Sequence, residues 1–90
     1  MNRNVRTNRR RSRAFSRQIA HNLRTAARSQ HLTLSDVHRI EQDNHMHPGT
    51  LLLTFAGLRV MVTHVLVLQN RLGLSVDDLF ADTRHQEVRA

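Results

Sequence analysis

Apolar residues recur at helical spacing from early in the chain, with Phe15, Ile19, Leu23 and Ala26 separated by four, four and three positions. Arg17, His21, Arg24 and Arg28 repeat at four, three and four on nearly the opposite side. The stretch from about Ser12 to about His31 therefore reads as a helix with one packing flank and one cationic flank. Thr33-Leu34-Ser35-Asp36 fits the capping box, in which a hydroxyl accepts from an early amide and a carboxylate reaches back. It opens a second helix that runs to about Gln42, with Leu34, Val37 and Ile40 as its inward stripe. Asp43 to His47 is a polar connector, and Pro48 suits the first turn of a third helix, where its missing N–H would have no partner anyway. That helix carries Leu51, Leu52, Leu53, Phe55 and Leu58. A fourth extends from about Val60 to Leu72, with Gly73 just past its end. Ser75 caps a short fifth helix, whose Asp77 and Asp78 lie at its positive end. No alternating pattern of useful length predicts a strand, so the expected class is all-α with five short helices.

One stretch has a second reading. Thirteen of the eighteen residues in 51–68 are apolar, which approaches membrane-spanning length. Arg59 lies near its middle, beside Gly57, and an arginine at mid-bilayer costs at least ~2.5 kcal/mol. Two core helices with a break near Gly57–Arg59 avoid that cost, and no membrane association is expected.

Ninety residues make one domain with a small core. The formal net charge is +7, and every one of the fourteen basic residues is arginine. Residues 1–30 hold nine arginines and no acid, whereas 31–90 hold five arginines and seven acids. This asymmetry predicts a basic segment that meets a polyanion, attached to a nearly neutral folded body. Residues 1–11, with Val5 as their apolar anchor, are expected to form a disordered, flexible arginine-rich arm. Residues 12–82 form the helical domain and 83–90 a frayed tail. No apolar stretch follows the first arginines before Phe15, which argues against a secretory signal, although an arginine-rich organellar leader has a similar composition.

Chemistry is excluded more readily than assigned. The absence of cysteine removes disulfide frameworks, thiolate catalysis and zinc fingers. No Trp, no Tyr and three Phe argue against base-stacking platforms. Three glycines build no phosphate loop, and no nucleophile stands at a strand-to-helix turn, so no enzyme activity and no small-molecule substrate are expected. Glu41 and Asp43 read as helix-end solvation rather than an acid/base pair. His45 and His47, with His38 nearby, have the spacing of a weak nickel or copper chelate; no metal or cofactor is expected. His64, inside the fourth helix, reads as a satisfied core or interface group.

Two segments resemble the Cro/phage-repressor helix-turn-helix family. Ile19-Ala20-His21-Asn22-Leu23-Arg24, then Arg28 and His31-Leu32-Thr33, is similar to that family's first helix and the entry into its second. Leu72-Gly73-Leu74-Ser75-Val76-Asp77-Asp78-Leu79-Phe80 is similar to its closing helix. The resemblance implies a lambda-repressor-like domain between Ile19 and Phe80. Its middle fits in two registers. In the first, which gives the better topology, Thr33–Gln42 precedes a recognition helix over Pro48–Ala56, where His47 and Thr50 are the polar candidates. In the second, Val37–Asn44 resembles the end of the recognition helix, and Thr33, Ser35, His38 and Arg39 are the readers.

The functional expectation follows from arm and resemblance together. Arg6, Arg9, Arg10, Arg11, Arg13, Arg17, Arg24 and Arg28 are the candidate contacts to phosphates or the minor groove of duplex DNA. The apolar surplus of 51–68 predicts a homodimer through Leu52, Phe55, Val62, Val65 and Leu66, matching a two-fold operator. The chain then reads as a transcriptional regulator, a repressor of phage or bacterial type, in the cytoplasm at the nucleoid. Two alternatives stay open: an RNA-binding protein that uses its arginine-rich segment as a helix, and a protein-interaction module on a helix-turn-helix-like fold.

Overall fold

A computed structural model describes the backbone of residues 3–82 and the side chains of residues 13–82. The chain forms five helices: α1 (Arg3–Ser29), α2 (Leu34–Asp43), α3 (Thr50–Phe55), α4 (Val62–Leu72) and α5 (Val76–Phe80). There is no strand among the described residues. The expected tail over 83–90 lies outside them.

α1 corrects the expected boundary. It starts at Arg3 rather than near Ser12, so residues 3–11 are helix and not a coil arm. The cause is local: no Gly or Pro precedes Pro48, and arginine ranks among the better helix formers. The apolar run of 51–68 divides as expected into α3 and α4, with a break over 56–61. Among the described residues no helix is long and apolar enough to cross a membrane.

The first four helices stop in the same way. The N–H groups of Leu32, Met46, Leu58 and Leu74 donate to the carbonyls of Ala27, Glu41, Leu53 and Gln69, each five residues back. The amides of His31, His45, Gly57 and Gly73 donate three residues back, completing four Schellman motifs. Each of those four residues has positive φ, between 55° and 76°. At His31 and His45 a side chain occupies a conformation that usually goes to glycine. Gly57 has a second reason to be glycine, since an added Cβ would stand 3.4 Å from the Cβ of Ala20.

Packing centres on Leu23, Leu51 and Leu68, all completely buried, with Val37, Ile40, Val65, Leu72 and Leu79 around them. α1 is the spine on which α3, α4 and α5 lie, and α2 packs on α3. Phe15 and Leu34, expected on inward stripes, are exposed instead, and Leu52, Leu53 and Leu58 are exposed as well. Ala20 is fully buried where the turn at Gly57 presses on α1, which rotates the buried stripe away from Phe15. Phe15 keeps one partner, packing edge-on against Phe80 with ring centroids 6.2 Å apart.

The spine also closes the helix ends that face it. A helix leaves its last carbonyls without intrahelical partners. Asn22, buried in α1, donates through Nδ2 to the carbonyls of Leu79 and Ala81 at 2.6 and 3.0 Å, holding the end of α5. Gln18 donates to Asn22 Oδ1 and fixes the amide's orientation. The Arg24 guanidinium donates to the Phe55 carbonyl at the end of α3, and Gln30 to the Leu72 carbonyl at the end of α4. Replacing Asn22 by Ala leaves two carbonyls without this donor and is expected to cost ~1–3 kcal/mol. Amide exchange in α5 should speed up more than in α2, and equal protection in both helices would contradict the clamp.

Candidate nucleic-acid interface

The caps that begin α2 and α5 form as the sequence predicts. Thr33 Oγ1 accepts from the Asp36 amide while Asp36 accepts from the Thr33 amide, and Ser75 and Asp78 repeat the pair. These backbone and hydroxyl bonds hold the Asp36 and Asp78 carboxyls below the usual aspartate range. The Thr33 hydroxyl accepts in its own cap, and its O–H remains available to donate.

α3 has no hydroxyl cap. It begins at Thr50 rather than Pro48, behind Gly49 in the left-handed region. Its donor is satisfied from another helix: Glu41 is buried in α2, and its Oε2 accepts from the Leu51 amide at 2.9 Å. Its Oε1 lies 3.0 Å from His38 Nδ1. Glu41 is thus a buried link between α2 and α3, not helix-end solvation. Burial pushes its carboxyl up, but the Leu51 amide, the His38 ring and the Gly49 amide together outweigh that and hold it below the ordinary value of 4.5. A carboxylate depressed in this way stabilises the fold above its ordinary value, and the contribution is lost as pH falls through the folded pKa. Thermal midpoints should accordingly hold near neutrality and fall below pH 4.5. Asp36 and Asp78 add to the same acid limb, so the share of Glu41 is the difference between wild type and Glu41→Gln. Identical pH profiles for the two proteins would remove Glu41 from the link.

The basic candidates separate into three groups. Arg13, Arg17 and Arg28 are exposed on α1, with His21 half-buried on the same flank. Arg24, though in register with them, is half-buried and spends its guanidinium on α3, so it is a structural group rather than a free cation. Arg6, Arg9, Arg10 and Arg11 lie on the α1 backbone, and their side chains lie outside those described. Arg13 and Arg17 border a groove of about 490 Å³ between α1 and the turn that carries Gly57 and Leu58.

The candidate readers are divided between α2 and α3. Ser35, His38 and Arg39 are exposed along one side of α2, together with Gln42. His38 has one ring nitrogen engaged by Glu41. His47 is exposed in the connector and Thr50 is half-buried where α3 begins. The remaining exposed residues of α3 are Leu52 and Leu53, which offer base edges no hydrogen bond. Arg39 also lines a groove of about 420 Å³ between α2 and α4, where Asp36, Asp43 and Arg71 place charges of both signs.

The expected dimer residues divide as well. Val65 is buried in the core, which removes it from any interface, and Phe55 is half-buried. Leu52, Val62 and Leu66 are exposed, and Leu58 and Met61 extend the apolar surface toward the start of α4. Val65 faces inward because Leu68 and Leu72 follow it at three and seven residues and set the buried side of α4. Among the described residues the buried Nδ1 of His64 has no hydrogen-bond partner, so His64 is not the satisfied core group of the first expectation. Among the described residues no three His, Asp or Glu side chains gather as a metal site would require.

Asn22 and Glu41 are the groups whose buried roles sequence patterning did not assign. Both had a signal: Asn22 falls between Ile19, Leu23 and Ala26, and Glu41 follows Val37 by four residues and Ile40 by one. A polar residue inside an apolar stripe must find a buried partner. Searches against family models, curated proteins and solved structures return no match to this chain.

Proposed function

We propose that the protein is a small regulator of transcription that binds duplex DNA through the arginine flank of α1 and acts as a homodimer. The observation that carries this is the exposure of Arg13, Arg17 and Arg28 on one side of a 27-residue helix drawn from the acid-free third of the chain. Guanidinium groups in a row release counterions from a phosphate backbone, which supplies affinity with little dependence on sequence. Ser35, His38 and Arg39 add limited base reading from α2, while the apolar surface of α3 adds none. The resemblance to Cro and phage repressors supports DNA as the target and the nucleoid as the place of action. Leu52, Val62 and Leu66 provide the self-association surface, as exposed apolar side chains on a strongly cationic chain.

The helical start of α1 favours a second reading, in which the same arginines enter a widened groove of a hairpin RNA. Fluorescence anisotropy with random duplex DNA, hairpin RNA and single-stranded RNA, across a salt series, separates the two. Tightest binding to the duplex supports the first reading, and a clear preference for the hairpin supports the second. Sedimentation equilibrium tests the dimer, which a monomer at all concentrations would rule out.

A further inference from the structure

We infer that α1 itself, rather than the short α3, enters the DNA, and that it lies in the major groove. The inference rests on the duplex-binding reading above and specifies how that binding is made. A coil arm can slip into a minor groove about 6 Å wide, but an α-helix with its side chains is roughly 10–12 Å across and matches a major groove about 12 Å wide. Because the chain is helical from Arg3, the wide groove is the one it fits.

Register strengthens the case. Arg3, Arg6, Arg10, Arg13, Arg17 and Arg28 follow one another at three, four, three, four and eleven residues, Arg24 being held on α3. At 3.6 residues per turn these positions fall in one register along the whole of α1. Among the described side chains, Arg13 and Phe15 already lie against the packed body. The preceding turns, of composition Arg-Asn-Val-Arg-Thr-Asn-Arg-Arg-Arg-Ser, are polar at every position except Val5. Guanidinium groups there have two kinds of partner in a major groove, phosphates at its walls and the O6/N7 edge of guanine at its floor. The first turn holds no acid, so arginines stand at the positive end of the helix dipole. Phosphates alongside offset that repulsion and lengthen the stable part of the helix. α3, by contrast, is six residues long and exposes Leu52 and Leu53.

Two measurements on the full chain test this. In the first, methyl green, a cationic major-groove ligand, and netropsin, a cationic minor-groove ligand, compete for a mixed-sequence duplex. Methyl green should weaken protein binding about tenfold at saturation while netropsin leaves it nearly unchanged. Displacement by netropsin alone overturns the inference, whereas no duplex binding at all overturns the reading beneath it. In the second, Arg10→Pro is compared with Arg10→Ala, which removes the same charge but leaves the helix continuous. Proline should weaken binding about tenfold more than alanine. Equal effects would mean that the segment acts as a coil. A Leu53→Ala variant, which leaves the Leu52 self-association surface untouched, should bind as wild type, and loss of binding there would put α3 in the groove.

Discussion

Alanine at Arg13, Arg17 and Arg28 together should flatten the salt dependence of duplex binding by about 2.7 in log–log slope, at roughly 0.9 per phosphate contact. If those contacts contribute nothing near 1 M salt, the same slope implies a loss on the order of several hundred-fold at 0.1 M. The three side chains are exposed, and none of them donates to a carbonyl of the fold as Arg24 does. Melting temperature should therefore stay close to wild type. Arg24→Ala gives the opposite pattern, because its guanidinium closes the end of α3. It should melt earlier and keep nearly the full salt slope. Anisotropy titrations at several salt concentrations, paired with thermal melts, read both quantities. An unaltered slope in the triple variant would remove the stretch of α1 from Arg13 to Arg28 from the contact.

The largest loss of stability is expected for Leu23→Ala. Leu23 is completely buried and joins α1 to Val37, Leu51, Leu68 and the rest of the core. Removing its isobutyl group leaves a cavity in a close-packed interior and costs ~2–5 kcal/mol. A domain of this length starts from a modest total, on the order of 5–15 kcal/mol for proteins in general. The variant should accordingly unfold at a much lower urea concentration. Leu66→Ala makes the control, since Leu66 is 54% exposed and should leave the urea midpoint of a dilute sample nearly unchanged. A Leu23→Ala midpoint equal to wild type would show that the core does not depend on α1.

Helix boundaries were the most legible feature because their signals are local. A hydroxyl with an acid three residues on starts α2 and α5, and Gly73 ends α4. The stops at His31 and His45 are harder to see, since histidine is not a usual left-handed residue; the apolar Leu32 and Met46 just beyond them were the available clue. The buried sides of α3 and α4 were less legible. Leu51, Leu52 and Leu53 are chemically alike, and only the docking of α3 on α1 and α2 decides that Leu51 alone goes inside. Arg24 was read as one of four equivalent cations because spacing records direction and not the carbonyl waiting at the end of α3. The arm was read as coil because Val5 is its only apolar anchor, while the absence of any breaker before Pro48 favours helix, and composition alone does not weigh the two.

Asn22 and Arg24 of α1 fasten the ends of α5 and α3, and Gln30 just past it fastens the end of α4, while Arg13, Arg17 and Arg28 form the exposed flank of α1. Whatever grips that flank therefore braces the entire fold, with a gain that grows with ligand concentration over its dissociation constant. Inside a cell the unoccupied protein would be the form that opens and is digested. Protein lifetime would then track how many target sites are free, and copies made in excess would clear themselves without a dedicated degradation signal.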